Sequence, residues 1–382
     1  MAAGRNARMT GTGYRRVTKK RPCGICGKPD WCSTTATEAI SFCARTTLNA
    51  DRISRYGWGV YYNGDSRSGF DFSLERNSRR STGRKRIKIS KSIAPSAVID
   101  TVYRKLIELY PASSNYEIVN GRGGLFERGI QDLNLYGSLP RLVNERRVLV
   151  ERLAEALTKE GIRCLEGVPG FWRDAGGRWR LWSEQDSFDE LMLIPFIGPD
   201  GLIRACQIRF MRYIPNKSGR YVWLSSSKEK DGCGPGAPLH HAAPSLRSKR
   251  SVLVTEGALK AATAQRFLPD KYVVGNSGVA TSHHEIVATA RGKALDIAFD
   301  NDSFTNPHVA RALSALVQLR VSDQASFGYN EDIRIVTWDK RIKGLDDALL
   351  TRVPLEYLTL AEWLKYLAPE CLEQANHQLS PA

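Results

Sequence analysis

The stretch that most constrains the fold runs from Ser251 to Asp302. It opens Ser251-Val-Leu-Val-Thr-Glu256-Gly-Ala-Leu-Lys260 and closes Leu295-Asp-Ile-Ala-Phe-Asp300-Asn-Asp302. Both ends have one form, a short apolar run closed by acid. Val252 to Val254 reads as a buried strand, with Glu256 where that strand turns into a helix. Ala294 to Phe299 reads as a second buried strand, with Asp300 and Asp302 on the loop after it. In an open parallel sheet, ligands bind outside the carboxyl ends of the strands. Neighbouring strands would bring three carboxylates to one spot, where they repel unless a cation joins them. Mg²⁺ takes oxygen ligands and is usually shared between protein carboxylates and substrate phosphates. The pattern therefore implies a Mg²⁺ site for phosphate chemistry. Either motif alone reads sooner as chance or a helix cap, for which Asp302, Ser303 and Asn306 are good residues. Their order within one strand–helix–strand pattern favours the metal.

The 382 residues suffice for two or three domains, and 42% hydrophobic content allows a real core. There is no apolar run of about 18 residues, so no membrane span is expected. The N-terminus is basic without an apolar segment, unlike a secretory signal. The net charge is +16. Residues 1–95 hold 20 Lys and Arg against 6 Asp and Glu, so fourteen of those charges lie in the first quarter. A near-neutral body with a basic head suggests a head that binds a polyanion, most simply nucleic acid. Four of the eight cysteines cluster near the N-terminus, which suits one metal site in a reducing cytoplasm rather than a disulfide framework.

Residues 1–21 are small, polar and basic and read as a disordered arm. Residues 22–72 carry Cys23, Cys26, Cys32 and Cys43, spaced C-x2-C-x5-C-x10-C. A knuckle with small residues and a second pair on a hairpin make a closed tetrahedral site for one structural Zn²⁺. The strands expected around it, Ala39–Cys43 and Trp58–Tyr62, suit a small β zinc ribbon. Trp58, Tyr61 and Tyr62 would either stack on single-stranded bases or form that ribbon's core. Residues 73–95 form a linker rich in Arg and Lys, suited to tracking phosphates.

The main body begins near residue 96. Helices are expected over Ala97–Tyr110 and Arg147–Glu160, and a helical hairpin with turns over Gly124–Pro140. Trp172, Trp179 and Trp182 alternate with Arg173, Arg178 and Arg180, as in a single-strand binder or in a hairpin around Gly176-Gly177. Leu191–Phe196 and Leu202–Phe210 flank a Pro-Asp-Gly turn and read as paired strands. After residue 249, Tyr272–Val274 and Ile333–Thr337 read as strands, and Ser282–Arg291 and Pro307–Leu319 as helices. His240-His241 and His283-His284 are adjacent pairs, poorly placed to share one ion. A helix and a frayed tail are expected over 353–382.

Glu-Gly after one strand and Asp-x-Asp after a later one resemble the Toprim domain. The preceding segment sharpens the resemblance. It has a hairpin with Asp-Gly … Ile-Arg, then Arg220-Tyr221-Val-Trp-Leu-Ser-Ser, then a Pro-Leu element. Together with the four cysteines, an Arg-Gly … Tyr-Gly-Ser-Leu-Pro region and Lys343-Gly-Leu-Asp346-Asp347, the chain resembles DnaG-type primases. It is most similar to the zinc-ribbon primase-like proteins of phages, plasmids and mobile elements, over about residues 22–350. The implied fold is α/β. A Rossmann-like, mostly parallel Toprim core over 249–352 adjoins an α+β primase subdomain over 96–248 and the N-terminal ribbon.

The implied activity is synthesis of RNA primers from NTPs on single-stranded DNA, with Mg²⁺ or Mn²⁺ as catalytic metal. In that resemblance Glu256, Asp300 and Asp302 hold metal. Asp346 or Asp347 is a fourth acid, or else a helix cap. Arg209 and Arg220 contact nucleotide or template, supported by Tyr221, or else are solvent-facing strand ends. Cellular primases carry an acid where Lys260 stands. Lys260 would clamp a phosphate or pair with a nearby acid. Gly344 likewise replaces an acid. A separately encoded replicative helicase is the implied partner. A Toprim nuclease and a non-catalytic adaptor that binds single-stranded DNA are the competing functions. A topoisomerase would need a tyrosine nucleophile in another large domain. A recombination mediator would be shorter and differently ordered.

Overall fold

The computed structural model describes residues 14–29, 32–35, 40–43, 52–53, 59–62, 93–162, 164–212 and 219–379. The chain divides into two compact units, 1–88 and 89–382. Trp58, the Tyr62 side chain, the basic residues of the expected linker as far as Lys91, and the first thirteen residues of the arm lie outside the described residues.

In the first unit, β1 (Tyr14–Arg16), β2 (Ser33–Thr35), β3 (Ile40–Cys43), β4 (Arg52–Ile53) and β5 (Gly59–Tyr62) form one antiparallel sheet in the order β1-β2-β3-β5-β4. The expected disordered arm is corrected here, because residues 14–21 are a strand and a turn. β1 pairs with β2, Val17 N–H donates to the Cys32 carbonyl at 3.2 Å, and Val17 packs on the cysteines. Local pairing thus outweighs the repulsion of a basic segment. Tyr61 is buried against the same cysteines, so it is core rather than a stacking face.

The second unit opens with α1 (Ser96–Leu109), whose Val102 and Leu106 are fully buried one helical turn apart. Pro111 follows and prevents its continuation. Next come α2 (Tyr116–Asn120), capped by the Asn115 side chain, then β6 (Gly137–Leu139) and α3 (Val143–Lys159). The expected helical hairpin over 124–140 is therefore wrong. Its glycines give turns, and Gly137–Leu139 pairs with a strand. The tryptophan segment is a hairpin of β7 (Phe171–Arg173) and β8 (Trp179–Leu181). Its arginines serve the hairpin itself: Arg173 lies 4.4 Å over the Trp179 ring, and Arg180 pairs with Asp174.

The strands β9 (Leu191–Ile197), β10 (Ile203–Phe210) and β11 (Tyr221–Trp223) complete an antiparallel sheet in the order β11-β10-β9-β6. α1 and α3 bury Leu106, Leu153 and Leu157 against Leu193 and Ile208 of its inner face. Each such side chain contributes about 1.5–3 kcal/mol.

The central sheet has the order β12-β14-β13-β15-β16-β17. Its strands are β12 (His240–His241), β13 (Ser251–Glu256), β14 (Tyr272–Asn276), β15 (Ala294–Ala298), β16 (Ile333–Thr337) and β17 (Glu356–Leu358). The inner four are parallel and the two short edges antiparallel. Near-continuous apolar runs such as Val252-Leu-Val suit strands covered on both faces. α4 (Ala258–Phe267) and α7 (Leu345–Leu350) cover one face. α5 (His283–Ala290), α6 (Pro307–Phe327), α8 (Leu360–Lys365) and α9 (Pro369–Leu379) cover the other.

α6 runs two turns past the expected Leu319 and ends at Gly328, which adopts φ 69°. The expected helix and frayed tail over 353–382 is also corrected. That segment supplies β17, α8 and α9, and Trp363, Cys371 and Ala375 are buried in the main core. Its apolar residues are few and scattered, which hid the packing.

His240 and His241 lie on an edge strand of this sheet and are buried. His240 Nδ1 accepts from Ile197 N–H at 3.2 Å, and His241 Nδ1 lies 2.6 Å from the Tyr272 hydroxyl. Burial pushes His240 down to about 3 and His241 to about 4. Below pH 6.5 the unfolded chain takes up protons that the native chain refuses, so stability falls as pH falls. By pH 4.5 each histidine removes about 2–3 kcal/mol. Thermal unfolding between pH 6.5 and 4.5 is expected to show this slope, and His240→Gln to flatten it.

Candidate functional site

In the first unit the Cys23, Cys26, Cys32 and Cys43 sulfurs all lie within 4.8 Å of one another. Cys26 and Cys32, and Cys32 and Cys43, are 3.7 Å apart at Sγ. Ligands about 2.3 Å from a tetrahedral Zn²⁺ are about 3.8 Å from each other, so the four thiols fit that ion. Burial pushes the Cys23 thiol up, but N–H groups of Cys26 and Ile25 and the neighbouring thiols outweigh it and lower its pKa.

In the second unit, parallel pairing of β13 with β15 brings the two acid-bearing strand ends together. Gly257 turns β13 into α4 at φ 84°, a conformation costly for other residues. Its N–H donates to the Asn276 carbonyl at 2.6 Å. Glu256 Oε1 accepts from the Asp300 N–H at 3.2 Å. Lys260, one turn into α4, forms an ion pair with Asp300. Asp302 sits beside Lys343 at 3.7 Å, and Asp346 accepts from Arg128 Nη1 at 2.6 Å. Glu256, Asp300, Asp302, Asp346 and Asp347 thus gather at the carboxyl edge of the sheet. Among the described residues, only the four cysteines form a metal-sized cluster of three or more ligand groups.

Burial, then Asp300, pushes the Glu256 carboxyl up. Burial also raises Asp302 and Asp347, with Asp300 and Asp346 respectively adding to it. Three carboxyls are thus held above their usual range, first by burial and then by neighbouring acids. Carboxylate oxygens suit a divalent cation by type, but no three of these acids stand at metal-cluster spacing; among the described residues Glu256 and Asp347 are in no ion pair, and Asp302 meets Lys343 at 3.7 Å. Burial pushes the Lys260 ammonium down, but Asp300, Asp346 and Glu256 outweigh it and its pKa lies above the usual lysine value.

Asn301 holds this corner together. Its N–H and Nδ2 reach the carbonyls of Lys343, Trp338, Asp339 and Ile342, and its Oδ1 accepts from Thr337 at 3.1 Å. The loop after β15 is thereby tied to the loop after β16, which leads into α7 and its first-turn Asp346 and Asp347. Sequence reasoning missed Asn301, although it stands between the two aspartates.

A cavity of about 200 Å³ adjoins the acids, lined by Arg128, Gln207, Tyr221, Glu256, Lys260 and Ser277 among others. Beside it lies Arg209, fully buried rather than a solvent-facing strand end. Its Nη1 donates to the Gly123 carbonyl, which also accepts from Arg128 Nε at 3.2 Å. Its Nε and Nη2 have no partner. No acid pairs with it among the described residues; the Tyr221 ring lies 5.9 Å away. Burial, with Arg128 and Arg220 near, brings its pKa down to about 10. Gly123 adopts φ 71°, and a Cβ there would strike the Arg209 guanidinium. Arg220 spends Nη2 on the Met211 carbonyl at 2.9 Å. Arg128 is the second residue that sequence reasoning missed; its Arg-Gly context was the available signal. Asn276, the register partner of Glu256, is fully buried with its side-chain amide unpartnered.

Two outcomes follow. Chelation of zinc, or Cys43→Ser, is expected to unfold the first unit and leave residues 89–382 folded, read by zinc content and limited proteolysis. Arg209→Met is expected to keep or raise Tm, because a lone buried charge costs stability. It should also weaken tripolyphosphate binding by about 10- to 100-fold, the worth of one or two charge-assisted hydrogen bonds.

No protein-family model matches the chain, and no curated protein matches it significantly. Among solved structures it is similar to the zinc-binding and RNA polymerase domains of the Aquifex aeolicus primase. That match has 16% identity and a TM-score of 0.46, over 80% of this chain and 71% of that one. The RNA polymerase domain of Mycobacterium tuberculosis primase DnaG matches at 13% identity and TM-score 0.45, over 71% and 85%. The E. coli primase catalytic core matches at 14% and 0.42, over 75% and 98%.

Proposed function

We propose that the chain is a DNA primase of the DnaG type, with a Toprim core. It would make short RNA primers from NTPs on single-stranded DNA by divalent-metal-dependent nucleotidyl transfer. The observation that carries this reading is one cavity lined by Glu256, Lys260 and Arg128, with the buried guanidinium of Arg209, which no acid pairs, beside it. Carboxyls held above their usual range and a buried guanidinium without an acid suit a metal–phosphate substrate. A decayed adaptor has no need of either. The motif order, from four cysteines to Lys-Gly-Leu-Asp-Asp, supports replication of a phage, plasmid or mobile element, beside a separately encoded helicase.

In this mechanism Glu256 and Asp302 would hold the ion. Bound there, Mg²⁺ or Mn²⁺ would acidify the attacking 3′ hydroxyl and neutralise the leaving pyrophosphate. Arg209 donates from its unpartnered Nε and Nη2 to triphosphate oxygens, with Arg128 and Lys260 of the cavity lining adding charge. Tyr221, an exposed residue of the cavity lining, orients the nucleotide. Asp300 and Asp346 keep Lys260 and Arg128 in place. The basic first unit holds the DNA template near by charge, so template binding weakens with salt.

The test gives purified protein single-stranded DNA, Mg²⁺ or Mn²⁺ and labelled NTPs. Short labelled products are expected from wild type, reduced at least ~100-fold by Asp302→Ala and by Arg209→Met. Metal-dependent cutting of the DNA without synthesis would assign the centre to a nuclease instead. Salt-sensitive DNA binding without either activity would assign the chain to the adaptor class.

A further inference from the structure

Gln207 is a polar residue on an apolar face. It stands on β10, whose side chains alternate between two faces. Cys206 and Ile208 take the inner face and are fully buried with α1 and α3. Ala205, Gln207 and Arg209 take the other. There Ile194, Phe196 and Ala205 pack on Ala258 and Leu259, the first residues of α4. Gln207 is only 7% exposed. Its side-chain amide forms no hydrogen bond among the described residues. It lines the cavity beside the acids, together with Ile194 and Tyr221. An amide taken from water without a partner costs stability, and a leucine would fill the same apolar face without that cost. The unmet donor and acceptor therefore suit a ligand in the cavity.

The position on the strand says which part of a ligand. Gln207 is two residues from Arg209 on the same face, about 6.5 Å along β10. Arg209 has Nε and Nη2 unpartnered and takes phosphate in the mechanism above. In a nucleotide the sugar follows the phosphates, so the amide one strand repeat away meets the sugar next. A ribose hydroxyl both donates and accepts, and a carboxamide offers both partners. A base edge is the poorer match. Synthesis on a template takes four bases in turn, and one fixed amide would favour some of them. The 2′-hydroxyl is common to all ribonucleotides and absent from all deoxyribonucleotides.

We propose that Gln207 is the sugar-selecting residue of the site, its amide bonding the 2′-hydroxyl of the incoming nucleotide so that ribonucleotides are held more tightly than deoxyribonucleotides. The inference rests on the nucleotide-polymerising reading above and names the residue that makes the product RNA. A deoxyribonucleotide leaves the amide unpaired inside the closed site, which is how a polar site rejects an analogue that lacks one group.

The test measures binding of ATP and of dATP, each with Mg²⁺, to the zinc-loaded full chain and to Gln207→Leu by titration calorimetry. Wild type is expected to bind ATP about 10- to 100-fold more tightly than dATP, the worth of one hydrogen bond whose loss leaves a buried amide unmet. Gln207→Leu is expected to bind the two equally, by losing affinity for ATP and not for dATP. Should the leucine variant fail to fold, Gln207→Met serves, since it also lacks the amide and adapts to its surroundings. Equal binding of ATP and dATP by wild type would overturn this inference and leave the primase reading standing. A sugar preference that persists in the folded variants would also overturn it. So would a preference among ATP, GTP, CTP and UTP that the substitution removes, because the amide would then read a base edge. Binding of neither nucleotide by folded wild type would overturn both.

Discussion

The tie made by Asn301 is the constraint on which the acidic corner depends. Like charges a few ångströms apart repel by about 1 kcal/mol in water and about 4 kcal/mol near a protein surface. The loop that carries Asp300 and Asp302 and the helix start that carries Asp346 and Asp347 would drift apart under that force. Asn301 sits on the first loop and spends its backbone N–H and its whole amide on Thr337 and the second loop. Each hydrogen bond contributes about 1 kcal/mol net, enough together to hold acids that have no liking for one another. The fold supplies the rest, since parallel pairing sets both strand ends at one edge.

The basic half of the centre comes from different elements. Arg209 belongs to the antiparallel sheet, Arg128 to the turns before β6, and Gly123 to the same turns. A single carbonyl, that of Gly123, gathers both guanidiniums. Burying Arg209 without an acid costs the folded chain stability. That cost falls beside the cavity, where a bound anion would offset it.

The sequence made the strand–helix–strand core, the cysteine cluster and the acid positions legible because each has a short spacing with a physical reason. Val252–Val254 and Leu295–Phe299 are apolar runs that end in acid, and no turn chemistry competes with them. Three features were hidden for different reasons. Asn301 works through main-chain carbonyls, which every sequence has. Arg128 finds its acid 218 residues later in the chain, and no local pattern records that. The strand and helices after residue 353 carry few apolar residues, but Trp363 and Cys371 fill a gap that only the finished sheet creates. The arm misled in the opposite direction. Its charge argued for disorder, while Val17 and β1 needed only one neighbouring strand to be held.

The central sheet ends on both sides in strands of two and three residues that run against the others. Parallel strands rich in Val and Ile are strong templates for pairing with another molecule, and short covered edges remove that template. β17 closes the side where Ile333–Thr337 would otherwise stand open, and α8 and α9 seal the apolar surface beneath. The last quarter-hundred residues therefore also govern whether the chain stays dispersed. Loss of that segment would leave the acidic corner intact in outline and make the sheet a seed for self-association.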